Sequence, residues 1–263
     1  MYNFDVAKPA SVADAVAALS QDEAQPLGGG QTLIPTLKQR LASPSVLVSL
    51  TGIADMQGVA ATGDGQIGIG GATTHAEVAE KAAAAYPGLA DLASHIGDPA
   101  VRNRGTIGGS LANNDPSACY PAAALGSGAT IITNSRSIAA DDFFQGMFDT
   151  SLAEGEIITG VSFPVPEVSN YQKFLQPASR FALVGVFVAK FSTGVRVAVT
   201  GASEEGVFRW TEAEAALSQT FDAAALDGLS LPGQGMISDL HGSGAYRAHL
   251  VGVLTKRAVA AAA

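Results

Sequence analysis

A single cysteine, Cys119, in a chain of 263 residues rules out an internal disulfide and leaves no set of thiolates to ligate an iron–sulfur cluster. Aromatic residues make up only 6% of the chain, with one tryptophan, Trp210, and they are too scattered to form a stacking platform for nucleic acid. Basic residues are outnumbered 15 to 24 by acidic ones, giving a formal net charge of −9, and no basic block stands out against it. Nucleic acid is therefore excluded as a partner, because its phosphates are held by clustered Lys and Arg. Long apolar runs are missing too. The longest, Phe181 to Val199, is broken by Lys190, Thr193, Gly194 and Arg196, so it reads as two strands and a turn and not as a membrane span. The start, Met1 to Asp5, lacks the basic-then-apolar pattern of a secretory signal. With the lone cysteine, this sets the expectation of a cytoplasmic protein.

Several signatures of chemistry are absent as well. The chain has no GxxxxGK[ST] loop, and its one GxGxxG match, Gly63 to Gly68, reads as a hairpin turn entering a strand, not a strand entering a helix. The four histidines, His75, His95, His241 and His249, form no HxxxH or HExxH pair, so no metal site is expected. His95 with Asp98 reads as a structural helix end. Ser110 and Ser117 have no nucleophile-elbow context, and Glu204-Glu205 and Glu212 with Glu214 read as solvated faces. No catalytic residue is nominated.

What is abundant is glycine in two particular places. Gly28-Gly29-Gly30-Gln31-Thr32 and Thr106-Ile107-Gly108-Gly109-Ser110 each precede small or apolar residues that would start a packed element. Glycine lets backbone approach a ligand closely, and consecutive N–H groups can converge on phosphate oxygens. Two such cradles suit a pyrophosphate.

Hydrophobic residues at 47% and charged residues at 15% describe a globular chain, and its length allows two domains at about 100–200 residues each. Ser11 caps a helix with Val12, Ala15, Val16 and Leu19 on one face. Gln25 to Leu27 reads as a strand into the first glycine loop, Leu33 to Leu41 as a helix, and Val46 to Leu50 and Gln66 to Ile69 as strands. Thr74 and Glu77 have capping-box spacing for a helix through about Ala85. Asp98 to Pro116 is so rich in turn formers that it reads as a long irregular loop, partly buried and functional. Ala129 to Thr133 and Ser137 to Ala139 read as a hairpin and Ile157 to Phe163 as a strand, and Pro164-Val165-Pro166 is the best boundary. Beyond it come strands and then helices. The last helix, about Ser243 to Ala262, is expected to share Tyr246, Leu250, Val253 and Leu254 on one face.

At these residues the sequence resembles the FAD-binding medium subunit of molybdenum hydroxylases, the family of aerobic carbon monoxide dehydrogenase and bacterial xanthine dehydrogenase. The resemblance rests on the two glycine loops, on Asn114-Asp115-Pro116, on Gly155-Glu156-Ile157-Ile158, on Phe181 to Val186, and on Asp239 to Ser243 with Tyr246-Arg247, in the family's order. It implies an α+β chain with the vanillyl-alcohol-oxidase-type (PCMH-type) FAD fold: two small α/β subdomains, about 1–54 and 55–165, then a C-terminal antiparallel sheet with helices, 166–263.

By the same resemblance, Gly28, Gly29, Gly30, Gln31 and Thr32 with Thr106, Gly108, Gly109 and Ser110 would hold the FAD pyrophosphate through backbone N–H groups and hydroxyls. Asn114 and Asp115 would sit near the cofactor's ribityl or adenosine-side hydroxyls, Ile158 against the isoalloxazine, and Lys173 near the flavin. Family members commonly carry aspartate where this chain has Cys119. A thiol is a weak acceptor, and a small buried hydrophobe is the favoured reading of that position.

The implied role is an electron-transfer subunit. It takes electrons from [2Fe-2S] clusters of a small subunit, served by a molybdenum cofactor in a large subunit, in a dimer of heterotrimers with an apolar or mixed surface left for its partners. A standalone flavin oxidoreductase and a cofactor-free assembly protein are the alternatives. Substrate and terminal acceptor stay open.

Overall fold

The computed structural model describes residues 1–262. The first unit contains β1 (Asp5–Ala7), α1 (Val12–Leu19), β2 (Ala24–Leu27), α2 (Leu33–Lys38) and β3 (Val46–Ser49), with β1 and β2 both parallel to the central β3. The Ser11 hydroxyl accepts the Asp14 N–H at 3.1 Å, which starts α1 as expected, and Ala15 and Leu19 then pack with Val48, Ile53 and Met56. The first glycine loop leaves the carboxyl end of β2, the edge where open parallel sheets place ligands. Helix α2 stops short of Leu41 because Arg40 turns left-handed, at φ +61°.

The middle unit runs β4 (Val59–Ala61), β5 (Gln66–Gly70), α3 (His75–Lys81), α4 (Pro87–Ser94), α5 (Pro99–Arg102), α6 (Ile107–Asn113), α7 (Tyr120–Ser127), β6 (Thr130–Thr133), β7 (Ser137–Ala139), α8 (Ala140–Phe143), β8 (Phe144–Gly146), β9 (Asp149–Thr150) and β10 (Ile158–Pro164). Its sheet has the order β4-β5-β10-β6-β7, and its paired neighbours are antiparallel. Gly63 and Gly65 take φ of +82° and +77° in the turn between β4 and β5, so the GxGxxG match is a hairpin. The Thr74 hydroxyl caps α3, accepting the Glu77 N–H at 3.3 Å. That helix stops at Lys81, short of Ala85, and the chain turns through Ala82 to Tyr86, which Pro87 holds out of helical geometry at φ −143° and ψ 76° before α4 begins.

The stretch Asp98 to Pro116 is not the irregular loop expected from its composition. Its turn formers are caps: Asp98 Oδ1 accepts the Val101 N–H at 3.0 Å with Pro99 opening α5, Thr106 opens α6, and Asn114 closes it at φ +41°.

The third unit is a meander of β11 (Val168–Leu175), β12 (Ala182–Phe191), β13 (Gly194–Ser203) and β14 (Gly206–Arg209), followed by α9 (Thr211–Gln219) and α10 (Gly244–Ala262). Alternate residues of β12 serve two cores. Phe187 and Ala189 pack with Tyr86, Leu89 and Leu125, while Val184, Val186 and Val188 pack with Trp210, Val251 and Leu254. Both sheet faces are covered, which is why the apolar run here is nearly continuous. The face of α10 differs from expectation. Leu250 and Leu254 are buried, but Tyr246 is exposed against Phe174, and Arg247 takes the buried place. The Arg247 guanidinium donates to the Leu183 and Gly201 carbonyls at 2.7 Å each and to Asp239 at 2.7 Å, so its charge is matched where it is buried.

Candidate cofactor-binding site

A cleft of about 760 Å³ is lined by residues of all three units, within the range of about 300–1,000 Å³ usual for ligand sites. Gly28, Gly29, Gly30, Gln31, Thr32, Thr106, Gly108, Gly109, Ser110, Asp115, Ile158 and Lys173 all line it. Asn114 does not. Its side chain is buried, and Nδ2 donates to the Gly146 and Asp149 carbonyls at 2.7 and 2.8 Å, tying the end of α6 to the β8–β9 hairpin. The amide is spent on that closure and is not offered to cofactor hydroxyls. Its neighbours Asn113 and Asp115 line the cleft instead.

The two glycine loops touch each other. A Cβ on Gly29 would stand 1.9 Å from the Arg104 carbonyl oxygen, and one on Gly28 would stand 2.8 Å from the Thr106 hydroxyl. Their hydrogen bonds divide the labour. Among the described residues, none of the N–H groups from Gly28 to Thr32 has a protein acceptor, and the Thr32 hydroxyl makes no capping bond. Consecutive unspent donors at a cleft are a nest for an anion.

The second loop behaves differently from the expectation that its backbone donates to a ligand. The Ile107 N–H goes to Thr73, Gly108 to Gly71, Gly109 to the Thr106 hydroxyl and Ser110 to the Thr106 carbonyl, at 2.9 to 3.2 Å. These donors are spent inside the chain. What the loop presents to the cleft is Thr106, whose N–H has no protein acceptor among the described residues, the bare face of Gly109 and the Ser110 side chain.

The other lining groups are held in place from behind. Glu156 accepts Arg136 Nε and Nη2 at 3.0 Å each, the Thr133 hydroxyl at 2.6 Å, the Ser135 hydroxyl at 2.9 Å and the Ala153 N–H at 2.8 Å. Arg136 first, then these other donors, hold its carboxyl far below the usual range, and the anchored segment delivers Ile157 and Ile158 to the cleft. Lys173 Nζ donates to the His95 carbonyl at 2.9 Å, at the C-terminus of α4 where the helix dipole favours a cation. Burial raises the Asp115 carboxyl, whose Oδ1 also accepts the Ser117 N–H at 2.8 Å.

Gly71, His75 and Arg180 line the cleft without having been singled out in the sequence as binding residues. The Gly70-Gly71 pair after β5 carried a usable signal. His75 carried none, since it stands at a helix start like any capped polar residue. Its ring packs on Tyr120 with centroids 5.3 Å apart, and burial, then Arg102, lowers its pKa to about 4, so the imidazole is neutral at pH 7.

Cys119 is only 4% exposed and belongs to the middle core, although it reaches the cleft wall. Burial, then the neighbouring Cys119, push the Tyr171 phenol well above its ordinary range. Replacing Cys119 by Asp places a carboxylate in this dry corner. The expected result is a lower melting temperature for the flavin-free protein, from a cost on the order of 1–3 kcal/mol, with no gain in flavin affinity. Thermal melting and flavin titration of the two proteins check it, and tighter flavin binding with unchanged melting would show the side chain facing cofactor hydroxyls.

Comparison with known proteins gives a consistent picture. Residues 2–166 match the family described as the FAD binding domain in molybdopterin dehydrogenase. The chain is 35% identical to the nicotine 6-hydroxylase medium subunit of Paenarthrobacter nicotinovorans, over 96% of this chain and 95% of the relative. It is 33% identical to the carbon monoxide dehydrogenase medium chain of Afipia carboxidovorans, over 98% and 96%. Among solved structures, quinoline 2-oxidoreductase from Pseudomonas putida 86 superposes with a TM-score of 0.88 at 29% identity, covering 99% of this chain and 97% of that one.

Proposed function

The chain belongs to the FAD-binding medium-subunit family of molybdenum hydroxylases, and from that premise we propose that its cleft holds FAD with the pyrophosphate on Gly28 to Thr32. The carrying observation is the row of unspent N–H groups in that loop. A chain of net charge −9 cannot attract a dianion by its overall field, so local donors must do it, with Lys173 and Arg180 as the nearby cations. Thr32 and Ser110 add hydroxyls, Asp115 accepts from cofactor hydroxyls, and Ile158 packs against the isoalloxazine. When bound, FAD supplies the redox chemistry, while the residues position it and exclude water.

The protein is the FAD-carrying electron-transfer subunit of a multi-subunit molybdenum-containing oxidoreductase. It receives electrons from [2Fe-2S] clusters of a small subunit and passes them to a terminal acceptor, and the molybdenum cofactor is carried by a large subunit. Among the described residues, no helix is long and apolar enough to cross a membrane. We place the complex in the cytoplasm as a dimer of heterotrimers, and we divide the chain into a FAD-binding part, 1–165, and a C-terminal part, 166–263. The extent of the family match supports that division. Phe174 and Tyr246 are exposed with their rings edge-on at 6.2 Å, and Leu175 and Leu240 are exposed as well, which supports an apolar surface for a partner subunit.

The purified full chain should show the visible absorption of bound flavin and retain FAD in preference to FMN, which has no pyrophosphate. Equal affinity for the two would remove the pyrophosphate assignment. Recovery of this chain alone from its host, with full turnover of a small substrate, would favour a standalone flavin enzyme.

A further inference from the structure

His75 lines the cleft at the point where the two glycine loops meet. It is the first residue of α3, fixed there by its own N–H donating to the Gly105 carbonyl at 3.0 Å and by Thr74 as the cap. Gly105 lies between two close neighbours. A Cβ on Gly29 would fall 2.5 Å from the Gly105 Cα, and a Cβ on Gly105 would fall 2.5 Å from His75 Nε2. The imidazole therefore occupies space that any side chain at position 105 would take, and one glycine separates it from the loop of unspent N–H groups.

The ring is short of partners. Nδ1 is buried with no hydrogen-bond partner, and among the described residues Nε2 has none either. His75 as a whole is 5% exposed. An orphaned buried N–H is rarer and costlier than an orphaned lone pair, so the neutral ring is best served by carrying its proton on Nε2, beside Gly105. The charged groups around it agree with a neutral ring. Arg102 opposes protonation, and the adjacent Tyr120 phenol is pushed well above its ordinary range by burial. A neutral donor without a protein acceptor, on a side chain that is otherwise buried and beside an anion nest, calls for an anionic oxygen from outside the chain.

We propose that His75 is a cofactor-binding residue, its Nε2–H donating to a pyrophosphate oxygen of the bound FAD. It adds, on the second loop's side, a donor beside the Thr106 N–H, where the N–H groups of Ile107, Gly108, Gly109 and Ser110 are spent on Thr73, Gly71 and Thr106. The inference rests on FAD occupying the cleft.

The test compares wild type, His75→Phe and His75→Gln as full chains. Phenylalanine keeps the ring packed on Tyr120 and removes the donor, and glutamine restores an N–H near the Nε2 position. FAD and riboflavin affinities are read by flavin fluorescence, and the bound pyrophosphate by its phosphorus NMR shifts. The expected result is about tenfold weaker FAD binding in His75→Phe, the loss of one charge-assisted hydrogen bond. Riboflavin affinity should stay unchanged, the phosphorus shifts should move, and His75→Gln should recover most of the affinity. Equal FAD affinity and unmoved phosphorus shifts in His75→Phe would overturn the proposal. So would an equal loss for FAD and riboflavin, which would mean a distorted cleft. A wild-type chain that binds no FAD would instead overturn the cofactor assignment, before any variant is compared.

Discussion

Gly29→Val is expected to lower the melting temperature of the flavin-free protein by roughly 6–12 °C, the equivalent of about 3 kcal/mol in a chain of this size, and to abolish flavin retention. The clash is with backbone. The new Cβ would lie 1.9 Å from the Arg104 oxygen, 2.4 Å from its carbon and 2.5 Å from the Gly105 Cα. None of these can swing aside like the end of a flexible side chain. Gly105 is held by its N–H to the Val101 carbonyl at 2.8 Å and by its carbonyl from the His75 N–H at 3.0 Å. The loops must move apart, and the N–H groups of Gly28 to Thr32 lose their common aim. Gly29→Ala should fail in the same way, because the Cβ alone makes the contact. Circular dichroism melts of both variants without flavin check this, and wild-type melting in Gly29→Ala would mean that the loops do not meet as described.

That result separates two reasons for a glycine which look identical in sequence. The pairs Gly28-Gly29 and Gly108-Gly109 both suggest close approach to a ligand, and the cleft does join them. Yet Gly29 is small for the sake of Arg104, and Gly108 for the sake of Gly71, whose oxygen a Cβ would meet at 2.6 Å. Gly109 and Ser110 spend their donors locally on Thr106, but Ile107 and Gly108 spend theirs on Thr73 and Gly71, acceptors supplied by a segment remote in sequence. Local pattern cannot reach them.

The same limit explains the other departures. Asp98, Thr106 and Asn114 were recognisable as turn formers, but whether a turn former breaks the chain or caps a short helix depends on what the helix packs against. Asn114 reads as a cofactor contact until the β8–β9 hairpin, far along the chain, claims its amide. Tyr246 and Arg247 exchange places on α10 because the Leu183 and Gly201 carbonyls, on other strands, match the guanidinium. What was readable is local: the Ser11 and Thr74 caps, the Gly63 to Gly65 turn, and the break of the Phe181 to Val199 run into two strands and a turn.

Gly109→Val should produce the opposite pattern to Gly29→Val: a protein that folds and does not hold flavin. Gly109 is exposed on the cleft side in the first turn of α6, and a Cβ there would meet only the Thr106 hydroxyl, at 3.0 Å. That hydroxyl can rotate away, giving up its bond from the Gly109 N–H at 3.2 Å. In a helix valine is no worse than glycine in intrinsic propensity, so the melting temperature without flavin should stay within about 3 °C of wild type. The branched side chain, however, fills the space that FAD would need beside the Gly28 to Thr32 donors. Overpacking against a rigid ligand costs about 1–3 kcal/mol and the displaced phosphate contacts cost more, so affinity should fall at least about 100-fold. Gly109→Ala should lie between the two, since its single methyl takes less of that space. Flavin content after purification and FAD titration of the apo proteins give the ratio. Stable folding with wild-type FAD affinity in Gly109→Val would place the cofactor elsewhere in the cleft, away from the start of α6.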